Sequence, residues 1–187
     1  MATLIERVLG AARLDPGTYE DVEADAGALV QAMTVVVVAA IAGGIGLAGV
    51  GEGDDLGLVG GTIASLLGWF VWAFVVYLVG TRLLPGPDTQ ADLGQLLRTT
   101  GFAASPGILR ILGVVPGIGG LVMAVAALWQ LAAMVVAVRA ALDYTSTGRA
   151  IAVCVLGFLA QILVLMLMVG GALALLGAPG PVPAPAP

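Results

Sequence analysis

Lysine and histidine are absent from this 187-residue chain, and cysteine occurs once, as Cys154. One cysteine excludes an intrachain disulfide. Without histidine, a structural zinc site lacks its ligands, so neither a metal nor a cofactor site is expected. Charge is scarce too: 10% of residues are charged, where a soluble domain carries roughly a quarter. The net charge of −5 argues against nucleic acid as a partner, because binding phosphate needs a basic surface. No motif for myristoylation or prenylation is present. The first 25 residues hold eight charges and no apolar core of signal-peptide length, so the first span is expected to serve as an uncleaved anchor.

What remains is overwhelmingly apolar. Hydrophobic residues make up 60% of the chain and the mean hydropathy is +1.09. Residues 26–51, 56–81, 111–138 and 150–187 contain no Asp, Glu, Lys or Arg. Crossing a bilayer core takes about 20 apolar helical residues, and each run is long enough. The fold class is therefore an all-α, polytopic membrane bundle. Arginine as the only basic residue, beside abundant Ala, Gly, Val and Leu, suggests a GC-rich bacterial source.

Three regions follow. Residues 1–27 form a lead-in, 28–177 the membrane domain and 178–187 a Pro-rich tail expected to be disordered. Within the lead-in, Leu4, Ile5, Val8, Leu9 and Ala12 share one helical face. Glu6, Arg7 and Arg13 lie largely on the other, as in an interfacial helix. Asp15-Pro16-Gly17 ends it. Thr18 with Asp21 then reads as the cap of an acidic second helix. This lead-in is either a solvated approach to the membrane or a surface that docks a partner.

Five spans are expected, near residues 29–50, 58–80, 93–115, 119–138 and 150–176. Gly60, Ala64 and Gly68 form a small-residue face suited to close helix packing in lipid. The third span carries Arg98, Pro106 and Arg110, and Pro106 predicts a kink or break there. With five crossings, Arg7, Arg13, Arg82, Arg98, Arg139 and Arg149 all fall on the N-terminal side. The positive-inside rule makes that side cytoplasmic and places the C-terminus outside, in a bacterial inner membrane.

The layout resembles the Yip1-domain family. The resemblance runs over residues 14–176 and is carried by "LDPGTYEDVEAD", "GFAASPGILRILGVVPGIGG" and "LWQLAAMVVAVRAALDYTSTGRAI". Its marks are Tyr19 after Pro16, the Gly-aromatic-Ala-Ala-x-Pro run from Gly101 to Pro106, Trp129, and residues 139–150. Eukaryotic relatives are associated with vesicle trafficking and Rab-type GTPases. The resemblance thus implies a fold and a membrane role, with no catalytic residues to carry over.

Candidate residues divide by depth. Arg110, Gln130 and Gln161 are polar groups inside spans. Arg110 reads either as an anion or lipid-headgroup contact, or as a snorkelling cation that pairs with Glu52, Asp54 or Asp55. The glutamines read as interhelical glue or as part of a site. On the cytoplasmic side, Arg139, Asp143, Tyr144 and Arg149 read either as part of an ordinary capped turn or, the minority reading, as candidate interaction residues. Cys154 reads as a buried small hydrophobe, with palmitoylation the minority reading. All twelve acids lie in loops or lead-ins, where they cannot couple ions at depth. The expected function is a noncatalytic, membrane-organising or trafficking-type interaction protein. Its expected partners are membrane lipids and other membrane proteins, a second copy among them. The alternative is a small transporter or channel subunit.

Overall fold

The computed structural model describes residues 2–49, 55–87 and 89–176. Most of the acidic loop after the first span, with Glu52 and Asp54, and the Pro-rich tail lie outside the described residues. Helix α1 (Leu4–Ala12) starts on a reciprocal cap. The Glu6 N–H donates to the Thr3 hydroxyl at 3.3 Å, and the Thr3 N–H donates to the Glu6 carboxylate at 2.7 Å. Helix α2 (Pro16–Ala24) is capped by Asp15 and not by Thr18 as expected: the Thr18 N–H donates to the Asp15 carboxylate at 3.0 Å. Pro16 decides this. Its ring presets φ and its missing N–H is no loss in the first turn, so the helix begins three residues earlier.

Helices α3 (Ala28–Gly49), α4 (Asp55–Leu78), α6 (Gly119–Ala141) and α7 (Thr147–Leu176) form the body. Four stretches within them are long and apolar enough to cross a bilayer: Ala28–Ala48, Val59–Leu83, Gly119–Ala141 and Thr147–Val164. The second runs through a π-helical turn, Val79–Leu83. Packing in the body is inside out relative to a water-soluble protein. Ala32, Ala39, Ala73, Ala126, Ala133 and Ala137 are buried, whereas Val30, Leu67, Leu121, Leu128 and Leu159 are exposed. Lipid rewards that arrangement, because small residues let helix backbones approach and large apolar ones meet acyl chains at no cost.

Residues 93–115, expected as the third span with a kink or break at Pro106, form two helical pieces. Helix α5 (Leu93–Phe102) ends four residues before Pro106, and the chain continues as a 3₁₀ segment, Ser105–Val114. The cap of α5 is Asp92, reciprocated by Gln95. The broken segment still travels along α3. Gly101 lies against Ala32, Gly107 against Ala39 and Gly113 against Gly46. Glycine at every sixth position thus meets every seventh residue of α3. From Gly107 to Gly113, six 3₁₀ residues rise about 12 Å beside about 10.5 Å for the seven α-helical residues from Ala39 to Gly46, so the two registers nearly match there.

The lead-in packs into this body. Tyr19 and Val22 of α2 are fully buried in one core with Ala28, Ala32, Phe102, Ala133 and Ala137. Arg7 does not face water with Glu6 and Arg13: it is only 3% exposed and bonds Asp21 at 2.9 Å, Asp25 at 2.8 Å and Gln31 at 3.1 Å. A guanidinium can be buried there because the acids of α2 and the first turn of α3 meet its fork. Arg98 joins the same end, donating to the carbonyls of Val22 and Glu23, where a cation suits a helix C-terminus.

Candidate functional site

Two cavities gather the polar side chains that sequence reasoning had marked separately. The first lies among the membrane helices, with a volume of about 440 Å³, and Arg110, Gln130 and Gln161 all line it. Arg110 comes from the 3₁₀ segment, Gln130 from α6 and Gln161 from α7. The Arg110 guanidinium donates to the Gln130 side-chain oxygen at 2.6 Å. Small residues make the room. A Cβ on Gly107 would stand 2.9 Å from that oxygen, and Gly43 of α3 faces the Arg110 stem. Of the acids expected to receive a snorkelling Arg110, Glu52 and Asp54 lie outside the described residues, as does the side chain of Asp55. Among the described residues its side-chain hydrogen bond is to Gln130.

Two tryptophans of α4, Trp69 and Trp72, also line this cavity. The Trp69 indole donates to the Thr100 hydroxyl at 3.1 Å. Trp72, tilted against Phe158 with centroids 5.4 Å apart, is nearly fully buried, and its N–H has no partner among the described residues. The side-chain oxygen of Gln161 is likewise buried without a partner. Sequence reasoning named the glutamine and passed over Trp72, because an indole in an apolar run reads as packing until its N–H is found without an acceptor.

The second cavity, of about 780 Å³, opens at the end of the bundle that carries the lead-in. Arg139, Asp143 and Tyr144 border it together with Glu20 and Glu23 of α2. Arg149 is set behind them. Its guanidinium lies 5.6 Å from the centre of the Tyr144 ring and donates to the Pro85 carbonyl at 3.1 Å. Asp143 adopts a left-handed backbone with φ of 51°, which turns the chain from α6 toward α7. Tyr144 is buried, its hydroxyl shared between the carbonyls of Leu84 at 2.7 Å and Gly80 at 3.2 Å. The π-helical turn and its C-cap Leu84 present those carbonyls, so Tyr144 is a structural pin, while Asp143 and Thr145 on either side of it are exposed. Loss of solvation pushes the Glu23 carboxyl up to about 7; Asp143 adds to the rise and Arg98 opposes it. Cys154 is buried against the Met134 carbonyl, within the core and away from an acylating enzyme.

The family model of the Yip1 domain matches residues 14–169, a stretch that contains both cavities. The chain belongs to the Yip1 domain family. No curated protein and no solved structure matches it. The residues that carry the family resemblance now have physical roles in this Yip1-domain protein. The Tyr19 hydroxyl donates to the Ala11 carbonyl at 3.0 Å and closes α2 on α1. Residues 101–106 form the break between α5 and the 3₁₀ segment. Trp129 reaches back to α1, and residues 139–150 carry the Tyr144 pin.

Proposed function

We propose that this Yip1-domain protein is a noncatalytic, membrane-organising protein of trafficking type that works by binding lipids and other membrane proteins. One observation carries the reading. The polar centre at depth pairs a cation with a neutral amide, Arg110 with Gln130, an arrangement that holds an anion or a polar group, and no acid is among the described residues that line its cavity. The described membrane helices and the family membership support a setting in the bilayer. In this reading the chain crosses five times, the third crossing being the broken segment that follows α3 from Ala32 to Gly46. The N-terminus is cytoplasmic and the C-terminus outside, in a bacterial inner membrane. Arg7, Arg98, Arg139 and Arg149 gather near α2 and the α6–α7 loop, as the positive-inside rule asks of a cytoplasmic face.

The test is affinity purification of the full chain in mild detergent, with identification of co-purifying proteins and lipids. Specific companions above an unrelated membrane protein are the expected result. A cavity within the span region is also what a small carrier would need. Solute flux from liposomes that hold only this protein, abolished by Arg110→Leu, would replace the binding reading with transport.

A further inference from the structure

The cavity inside the bundle carries more unmet polar capacity than packing explains. Trp72 is 5% exposed, yet its indole N–H finds no acceptor among the described residues. The Gln161 oxygen, on the facing helix α7, is buried and equally without a donor. Buried polar groups in folded proteins nearly always have partners, since a lost hydrogen bond is not replaced by solvent there. Arg110 adds a positive charge whose described partner, Gln130, is neutral. A cation at this depth is costly, and such residues commonly mark a binding path. Gln130 spends its oxygen on Arg110, which leaves its amide N–H groups as donors. The inventory is therefore three kinds of donor (guanidinium, indole and amide) and one acceptor on Gln161. Val36, Ala39, Met134 and Phe158 supply apolar wall around them. At about 440 Å³ the volume falls within the usual range for small-molecule sites, about 300–1,000 Å³.

We infer that this cavity binds an oxyanion with a neighbouring hydroxyl, the chemistry of a glycerol-bearing phosphate headgroup. The phosphate oxygens accept from Arg110, Gln130 and Trp72, and the hydroxyl donates to Gln161. The inference rests on the reading of the protein as a noncatalytic binder and names what its membrane site takes.

The experiment uses the full chain in phosphatidylcholine nanodiscs, with and without phosphatidylglycerol. It reads thermal stability and, by native mass spectrometry, the lipid retained. Phosphatidylglycerol is expected to raise the melting temperature and stay bound. Arg110→Gln should weaken its retention by about tenfold, the loss of a charge-assisted hydrogen bond, and Arg110→Lys should recover part of it. Trp72→Phe and Gln161→Leu are the sharper variants. Each removes a group that has no partner among the described residues, so lipid retention falls while the lipid-free melting temperature does not. A purely structural role predicts the opposite. Arg13→Gln, at an exposed arginine of the lead-in, controls for general anionic attraction. A separate arm adds inorganic phosphate to phosphatidylcholine discs: protection there assigns the oxyanion to a free anion, and its lack assigns it to lipid. Equal behaviour in discs with and without phosphatidylglycerol, together with no protection by phosphate, overturns the site. Undiminished retention in both Trp72→Phe and Gln161→Leu does so as well. If either occurs while partner proteins still co-purify, the headgroup site falls and the broader binding reading stands.

Discussion

Trp129, halfway along α6, donates its indole N–H to the carbonyl of Ala12 at 2.7 Å, across 117 positions of sequence. Ala12 is the last residue of α1, whose terminal carbonyls have no partner within the helix. The indole spends its one donor on that carbonyl and so fastens the lead-in to the bundle wall. The lead-in is thus part of the folded body, which changes what its substitution should do.

Arg7→Leu should lower stability by about 1–3 kcal/mol, because a buried guanidinium loses its ties to Asp21, Asp25 and Gln31. The half-exposed acids keep the effect below that of a fully buried pair. Thermal unfolding in detergent measures it. An unchanged melting temperature would mean that α1 contributes no anchoring.

Glu23 should make stability fall with pH. Its carboxyl is held up to about 7 in the folded protein, against an ordinary value of 4.5. Between these values the folded state binds the proton more tightly than the unfolded state, so stability declines as pH rises from 4.5 to 7 and levels off above. Glu23→Gln should flatten that slope and raise the melting temperature at pH values above 7. A slope that persists in the variant assigns the titration elsewhere.

Gly46→Ala should loosen the contact between α3 and the 3₁₀ segment, since the added Cβ would overlap the Arg110 carbonyl and meet the Met123 sulfur at 3.0 Å. Backbone cannot swing aside, and a cost of about 1–3 kcal/mol is expected. Gly60→Ala is the contrast. Nothing lies within 4 Å of a Cβ there, so the isolated chain should lose no stability and gain up to about 1 kcal/mol from the better helix propensity of alanine. Equal gains in both variants would show that helix propensity, not close approach, governs these sites.

Topology is tested with single cysteines in a Cys154→Ala background. A cysteine at Ala184 should react with an impermeant thiol reagent added to intact cells, and one at Thr147 should not. The reverse pattern would mean that the broken segment turns back without crossing.

The membrane setting was legible in the chain because the cost of burying charge in hydrocarbon is a property of each residue. Long uncharged runs therefore announce spans wherever they fold. The break at Pro106 was legible for a similarly local reason, a missing N–H and a ring clash. Arg110, Gln130 and Gln161 stood out because each is polar inside an apolar run. That they line one cavity, and that Trp72 joins them with an unused N–H, depends on which faces of α4, α6, α7 and the 3₁₀ segment turn toward each other. The period-six glycines at 101, 107 and 113 were visible, but their meaning needed the α3 register they match. Arg7 makes the same point from the other side. Its amphipathic position predicted an exposed charge, and only the approach of Asp21, Asp25 and Gln31 allowed its burial. Local cost is written residue by residue; the partner that offsets it is chosen by packing between distant segments, and packing exists only once the chain has folded.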